Sequence, residues 1–297
     1  MTHGAPILQV RRSDERFQSE KIVTYATLMV HLELGNSNTS VLQIAGDLAE
    51  QFNARVVGIA AGQPMQIVYS SGLLPGEICI QDRDEISKEL HDAEAEFVRE
   101  LQPRSINISW RAAMVYESLA EYLAIQSRCA DLVISRTARI YVFDASRTVD
   151  TADLVMRLGR PVLVVPSAER HLSLKRVLVC WKDTREARRA VFDALPILKQ
   201  AAQVTIVEIA DEKEMPATHG RIADVVDWLK QHGIVGTPVV LPSTRDDTQA
   251  LCMAAQSQNA DVIVAGAYGH SRLREWVLGG VTRDLLLSDD RCSLLSH

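Results

Sequence analysis

The run Ala130-Asp-Leu-Val-Ile134 returns almost unchanged as Ala260-Asp-Val-Ile-Val264, and each copy stands about thirty residues before the start of another apolar run, Pro161-Val-Leu-Val-Val-Pro166 or Cys292-Ser-Leu-Leu-Ser296. An internal duplication constrains the fold strongly, because both halves must then build the same supersecondary unit. The 297 residues are about twice a usual domain, which leaves room for two such units.

Hydrophobic patterning gives the content of each unit. In the first half, Tyr25–Leu32, Arg55–Ala60, Ser105–Trp110, Asp131–Ser135 and Pro161–Pro166 read as strands. Between them, Ser37–Asn53, Glu85–Leu101, Tyr116–Cys129 and Asp150–Leu158 read as helices, the first with Asn36 or Ser37 available as its cap. The stretch Gln63–Asp84, with Pro64, Gly72, Pro75 and Gly76, reads as an extended loop or short hairpin.

The second half repeats the order. Strands are expected at Lys175–Trp181, Val204–Ile209, Pro238–Leu241, Asp261–Ala265 and Cys292–Ser296, and helices at Thr184–Gln200, Arg221–Gln231, Asp246–Gln258 and after Gly279. Strands alternating with helices predict an α/β fold with parallel sheets and crossover helices. The expected division is a polar arm over residues 1–20, a first domain over 21–167, a polar linker at Ser167–Leu174 and a second domain over 174–297.

Chemistry can be read from one stretch, Gly266-Ala-Tyr-Gly-His-Ser-Arg-Leu-Arg-Glu-Trp-Val-Leu-Gly-Gly-Val-Thr282, which follows a strand and runs into a helix expected over 281–287. Glycines at Gly266 and Gly269 permit φ > 0 and close approach of backbone to a ligand. Gly279, Gly280, Val281 and Thr282 stand where a helix begins, and the N–H groups of a helix N-terminus suit a phosphate. His270, Arg272 and Arg274 could reach phosphates from the same loop, and Trp276 is expected to pack. The alternative, glycines that only build a turn and a helix start, stays open here.

The spacing resembles the nucleotide-binding signature of the universal stress protein family: glycine, two residues, glycine, nine residues, glycine and a small residue. The twofold strand–helix order supports that resemblance from about residue 22 onward. It implies two tandem open five-stranded parallel sheets of flavodoxin-like, adenine-nucleotide-hydrolase-like type, packed as an internal pseudo-dimer through antiparallel last strands. It also implies ATP, with Mg²⁺, at the carboxyl ends of the strands of the second half, and a role in stress response or signalling. Two positions depart from the family pattern. Gly280 replaces the usual hydroxyl residue, with Thr282 two residues on, and Lys182 followed by Asp183 stands where the family places an aspartate against the adenosine.

The first half lacks the loop. After Ser135 it reads Arg136-Thr-Ala-Arg-Ile-Tyr-Val-Phe-Asp144 and has no glycine until Gly159, so it is expected to keep the fold without the site. No catalytic constellation is present: the sequence contains no G-x-S-x-G, no H-E-x-x-H and no P-loop, so any ATP hydrolysis is expected to be slow. Five scattered cysteines without a C-x-x-C pair predict neither a metal site nor a disulfide framework. A net charge of −6 without blocks of one sign argues against nucleic acid and anionic membrane as partners. No apolar run is long enough to span a bilayer, which leads to the expectation of a cytoplasmic protein. The expected partners are a small nucleotide, a second copy of the chain and a protein that reads the bound state. The competing reading is an interaction scaffold whose glycine loop is a relic.

Overall fold

In the computed structural model, residues 24–65, 76–137, 146–244, 247–267 and 291–297 are described. The first half comprises β1 (Thr27–His31), α1 (Thr39–Phe52), β2 (Arg55–Gly62), α2 (Gly76–Leu101), β3 (Ile108–Met114), α3 (Leu119–Gln126), β4 (Leu132–Arg136), α4 (Thr151–Leu158) and β5 (Val162–Val165). The second comprises β6 (Arg176–Cys180), α5 (Arg185–Asp193), α6 (Leu195–Gln200), β7 (Gln203–Ala210), α7 (Met215–Gln231), β8 (Gly236–Pro242), α8 (Asp247–Ser257), β9 (Val262–Gly266) and β10 (Cys292–Ser296). The polar arm over 1–20 and the helix expected over 281–287 lie outside the described residues.

The ten strands among the described residues join one sheet in the order β3-β2-β1-β4-β5-β10-β9-β6-β7-β8. Counted from its outer edge, each half runs third, second, first, fourth, fifth strand. Within a half every pairing is parallel; the seam, β5 with β10, is antiparallel, with Leu163 opposite Leu294. The expected internal pseudo-dimer is therefore a continuous sheet. The central strands are buried on both faces and correspondingly open as continuous apolar runs, Leu132-Val-Ile134 in β4 and Val262-Ile-Val-Ala265 in β9. Two apolar clusters lie on opposite faces, and each draws side chains from both halves: Leu28, Leu163, Leu174, Ile206 and Leu294 on one, Met29, Val133, Val164, Ile263 and Leu295 on the other.

The repeated Ala-Asp pair acts at the start of strands. The Asp131 carboxylate accepts the N–H groups of Ala26 and Thr27, both at 2.9 Å, and Asp261 accepts that of Arg176 at 2.8 Å. Each carboxylate ties the fourth strand of its half to the entry of the first. The duplicated motif is thus a pinning device, opposite in position to any ligand.

Several boundaries differ from the sequence expectation. Helix α2 starts at Gly76 instead of Glu85, so part of the expected loop is helical. Tertiary partners explain this: Asp82 accepts from the Met65 N–H at 2.7 Å and pairs with Arg147 at 2.8 Å, which also holds Glu89. Strand β3 begins at Ile108, not Ser105, because Ser105 takes a left-handed conformation (φ 56) that closes a 3₁₀ turn over Gln102–Arg104. The helix expected over Thr184–Gln200 is two helices broken at Ala194, since Pro196 has no N–H to continue the ladder. Helix α3 starts at Leu119 because the Ser118 hydroxyl caps it, accepting from the Glu121 N–H. Helix α7 starts at Met215, earlier than Arg221, with Pro216 in its first turn. The α1 cap is Asn38, and its side chain accepts from the Glu33 N–H instead of a helix N–H.

Candidate functional site

In an open sheet of this order, a crevice forms at the carboxyl ends of the strands where chain direction across the sheet reverses. That point lies between β1 and β4 in the first half and between β6 and β9 in the second. The two crevices are equivalent positions of the repeat, and their side chains can be compared directly. Pairing of Val30 with Ile134 and of Val179 with Val264 makes Glu33 the counterpart of Lys182, and Arg136 the counterpart of Gly266.

In the second half, Gly266 ends β9 and accommodates a close approach. A Cβ there would lie 2.5 Å from the Ala187 nitrogen and 2.6 Å from the Glu186 carbonyl carbon. Gly266 is strand and its φ is not positive. It admits the first turn of α5 against β9, a packing role the glycine spacing alone did not disclose. Thr184 caps that turn, its hydroxyl accepting from the Ala187 N–H at 3.2 Å, so α5 begins at the mouth of the crevice. Lys182 and Asp183 lie exposed just before the cap, and Asp183 pairs with Arg188 at 2.6 Å. Gly266, Lys182 and Asp183 are thus brought together. Gly269, His270, Arg272, Arg274, Trp276, Gly279, Gly280, Val281 and Thr282 lie outside the described residues.

Glu186, buried beneath this turn, pairs with Arg185 at 3.0 Å. Burial raises its carboxyl, but its own backbone N–H and the Arg185 guanidinium outweigh that, with a smaller contribution from His297, and hold it below the usual carboxylate range. His297 reaches the site through a 3.0 Å bond from Nδ1 to the Ala267 carbonyl.

The first-half crevice is filled by the chain itself. Arg136 extends into it, 3.5 Å from Glu33, and donates to the Ser37 carbonyl at 3.1 Å and to the Ser167 hydroxyl at 3.3 Å. Both partners of that ion pair are 11% exposed. At the start of α1, where a helix would offer its N–H groups to an anion, the Glu96 carboxylate accepts from the Asn38 N–H at 3.0 Å and from the Thr39 hydroxyl at 3.3 Å. The sequence disclosed the missing glycines but not their replacements, because Glu96 comes from another helix.

Beside the crevice of the first half, His31 Nδ1 and Ser135 Oγ meet at 3.2 Å in a buried pair. Burial pushes the imidazole down to about 4. In the second half the Cys180 thiol is pushed up to about 12 by burial, with a smaller contribution from Cys252, and burial also raises Cys292, so both stay protonated at neutral pH. Among the described residues no group of three or more His, Cys, Asp or Glu could hold a metal ion, and no helix is long and apolar enough to cross a membrane.

Comparison with known proteins agrees with this architecture. The model of the Universal stress protein family matches residues 173–288, which cover β6 to β9 and the glycine stretch. A universal stress protein from Archaeoglobus fulgidus superposes with a TM-score of 0.67 at 15% identity, covering 91% of this chain and 97% of the other. A putative universal stress protein from Pseudomonas aeruginosa superposes with a TM-score of 0.61 at 16% identity, covering 92% and 93%. At these identities the likeness is one of fold, and it extends over both halves. None of the curated proteins compared with the chain matches it.

Proposed function

We propose that this chain, whose second half matches the universal stress protein family and whose two halves share that fold, binds one adenine nucleotide per molecule in its second half. In this reading it works as a stress or signalling module without fast catalysis. The division into a first domain over 21–167 and a second over 174–297 follows the repeat, and only the second is a binding unit. The observation that carries this is the contrast between equivalent crevices. Arg136, Glu33 and Glu96 fill the first, whereas the second presents Gly266, a capped helix start and an exposed Lys182.

Lys182 and the start of α5 suit the phosphates, with Lys182 as a point charge and α5 through its N–H groups. The glycines Gly269, Gly279 and Gly280, with Val281 and Thr282, would complete the cradle by the family spacing, and His270 and Arg272 would add donors to it. Mg²⁺ would then enter on the phosphates of ATP and not on a protein cage. A ligand that binds only the native state stabilises it by about 2.7 kcal/mol at a hundredfold excess over Kd, and a partner protein could read that ordered state.

Calorimetric titration and thermal shift with ATP, ADP and AMP, with and without Mg²⁺, test the reading on the intact chain and on a Gly269→Val, Gly279→Val double variant. Saturable binding at one site per chain, absent from the variant, is expected. Binding at two sites would refute the assignment of a filled first half. No binding at millimolar nucleotide would leave the loop as a relic and the chain as an interaction scaffold.

A further inference from the structure

Among the described residues the sheet ends in β3 on one side and β8 on the other, and the repeat makes these two edges equivalent positions. Val30 and Val179 are counterparts; they pair with Gly58 and Ile206, which in turn pair with Trp110 and Pro238. Trp110 therefore corresponds to Pro238, Ala112 to Val240 and Met114 to Pro242. Along a parallel ladder, alternate residues turn both backbone groups toward the same neighbour. The Val56 N–H donates to the Asn107 carbonyl at 2.9 Å, the Val115 N–H to the Gly62 carbonyl at 3.0 Å, and the Ser243 N–H to the Ala210 carbonyl at 2.9 Å. These bonds fix the phase. Ser109, Arg111 and Ala113 face β2, so Ile108, Trp110, Ala112 and Met114 turn their backbone groups outward; on β8 the outward positions are Gly236, Pro238, Val240 and Pro242.

The two edges are built oppositely. On β8, two of the four outward positions are prolines, which bring no N–H, and proline turned outward is one of the ways natural edges refuse a further strand. Strand β3 has seven residues, ISWRAAM, with neither proline nor lysine among them. Its one charge, Arg111, is drawn off to the end of α3, where the guanidinium donates to the Gln126 carbonyl at 3.0 Å and to its side-chain oxygen at 3.1 Å. Ser109 and Ala112 are exposed. One edge of the duplicated fold is closed to strand addition and the other is not.

Beside the open edge runs an apolar rim. Ile108, Trp110 and Met114 on β3 and Leu90 and Val98 on α2 pack against the core and are only partly buried by it. Trp110 ties the two elements together, its ring 5.3 Å from that of Phe97. A lone extended peptide would satisfy the backbone groups of β3 and leave the rim uncovered. An occupant that satisfies both is a strand with a helix on the same face, and β3 with α2 is itself such a unit. Antiparallel pairing of β3 with its own copy about a twofold axis normal to the sheet sets α2 beside α2. A stable dimer buries about 800 Å² on each partner, which a strand edge by itself does not reach, so the rim is a necessary part of the contact.

We propose that the outer edge of β3 is the docking surface for a second copy of this chain, joined antiparallel so that two ten-stranded sheets become one and α2 packs against its copy. The seam of β5 with β10 already occupies the last strand of each half, so association by strand pairing falls to an outer edge. The prolines of β8 then have a second consequence. With one edge closed, the pairing is isologous and stops at two chains, whereas two open edges would allow sheets to add without end.

Sedimentation velocity of the full chain, together with residue-resolved amide hydrogen exchange, tests this. Wild type is expected to sediment with twice the 32.9 kDa mass of the chain, and the outward amides of Trp110 and Ala112 to be protected while that of Val240 on the closed edge exchanges freely. Ala112→Pro copies the device of β8 at an exposed, outward position and leaves the bonds to β2 intact. Ala112→Lys puts a charge on the edge instead. Both variants are expected to halve the sedimenting mass and to release the Trp110 amide. Thr237→Lys, on the exposed edge of β8, is expected to leave the mass unchanged.

Contrary results are equally definite. A wild type with the mass of one chain, whose Trp110 and Ala112 amides exchange as fast as that of Val240, overturns the proposal. A dimer that survives both Ala112 substitutions overturns it too, and so does one that Thr237→Lys takes apart, since each puts the contact elsewhere. If Ala112→Pro loses its cooperative melt, Ala112→Lys and the exchange pattern of the unaltered chain still decide. Neither readout depends on nucleotide, so the binding assigned to the second half stands or falls separately.

Discussion

His31 makes stability depend on pH in a direction and range that its surroundings fix. It is 2% exposed, bonded at 3.2 Å to Ser135, and burial alone lowers its imidazole to about 4. In the unfolded chain the same group titrates near 6.5. Above that pH both states carry a neutral ring and the group contributes nothing that changes with pH. As pH falls through 6.5 the unfolded chain takes up a proton that the native state refuses until about 4, so stability is lost across that window. The gap from 6.5 to about 4 is about 2.5 pH units, and at about 1.4 kcal/mol per unit the full loss is about 3 kcal/mol.

Carboxylates also titrate in this range, so the assay is a difference. Urea melts of wild type and His31→Gln are compared from pH 7.5 to 4.5, with the slopes checked for equality. The variant cannot titrate and keeps a group able to bond Ser135. It is expected to be the less stable protein at pH 7.5, and to gain about 2.5 kcal/mol relative to wild type by pH 4.5. A stability difference that stays constant within about 0.5 kcal/mol over that range would refute the reasoning. So would an NMR titration that finds the His31 ring protonated at pH 6.

Three further outcomes are expected. Asp131→Ala removes the acceptor of two backbone N–H groups and should destabilise by about 2–3 kcal/mol in denaturant melts, whereas Asp131→Asn should recover part of this through its remaining oxygen. Gly266→Ala drives a methyl group into the backbone of α5 and should cost about 1–3 kcal/mol while lowering nucleotide affinity; an unchanged melting temperature with full binding would show that α5 does not rest on β9 as described. Arg136→Ala removes the guanidinium that meets Glu33, the Ser37 carbonyl and the Ser167 hydroxyl and should cost about 1–3 kcal/mol, with no nucleotide site of the first half appearing in calorimetry, because Glu96 still holds the start of α1.

The duplicated Ala-Asp runs and the alternation of apolar strands with amphipathic helices were enough to determine two repeats of a parallel α/β unit. Burial on both faces writes itself into sequence as an unbroken apolar run, and repetition needs no third dimension to be seen. The glycine spacing and the absence of glycine after Arg136 likewise separated the halves. What replaced the missing site was not legible: the ion pair of Arg136 with Glu33 and the seating of Glu96 on α1 join residues far apart in the chain. The same holds for the early start of α2, which depends on Arg147, and for Gly266, whose missing side chain makes room for a helix instead of a loop. The seam sets Leu163 opposite Leu294, because which atoms meet across a sheet is decided by the pairing of strands and not by their order along the chain.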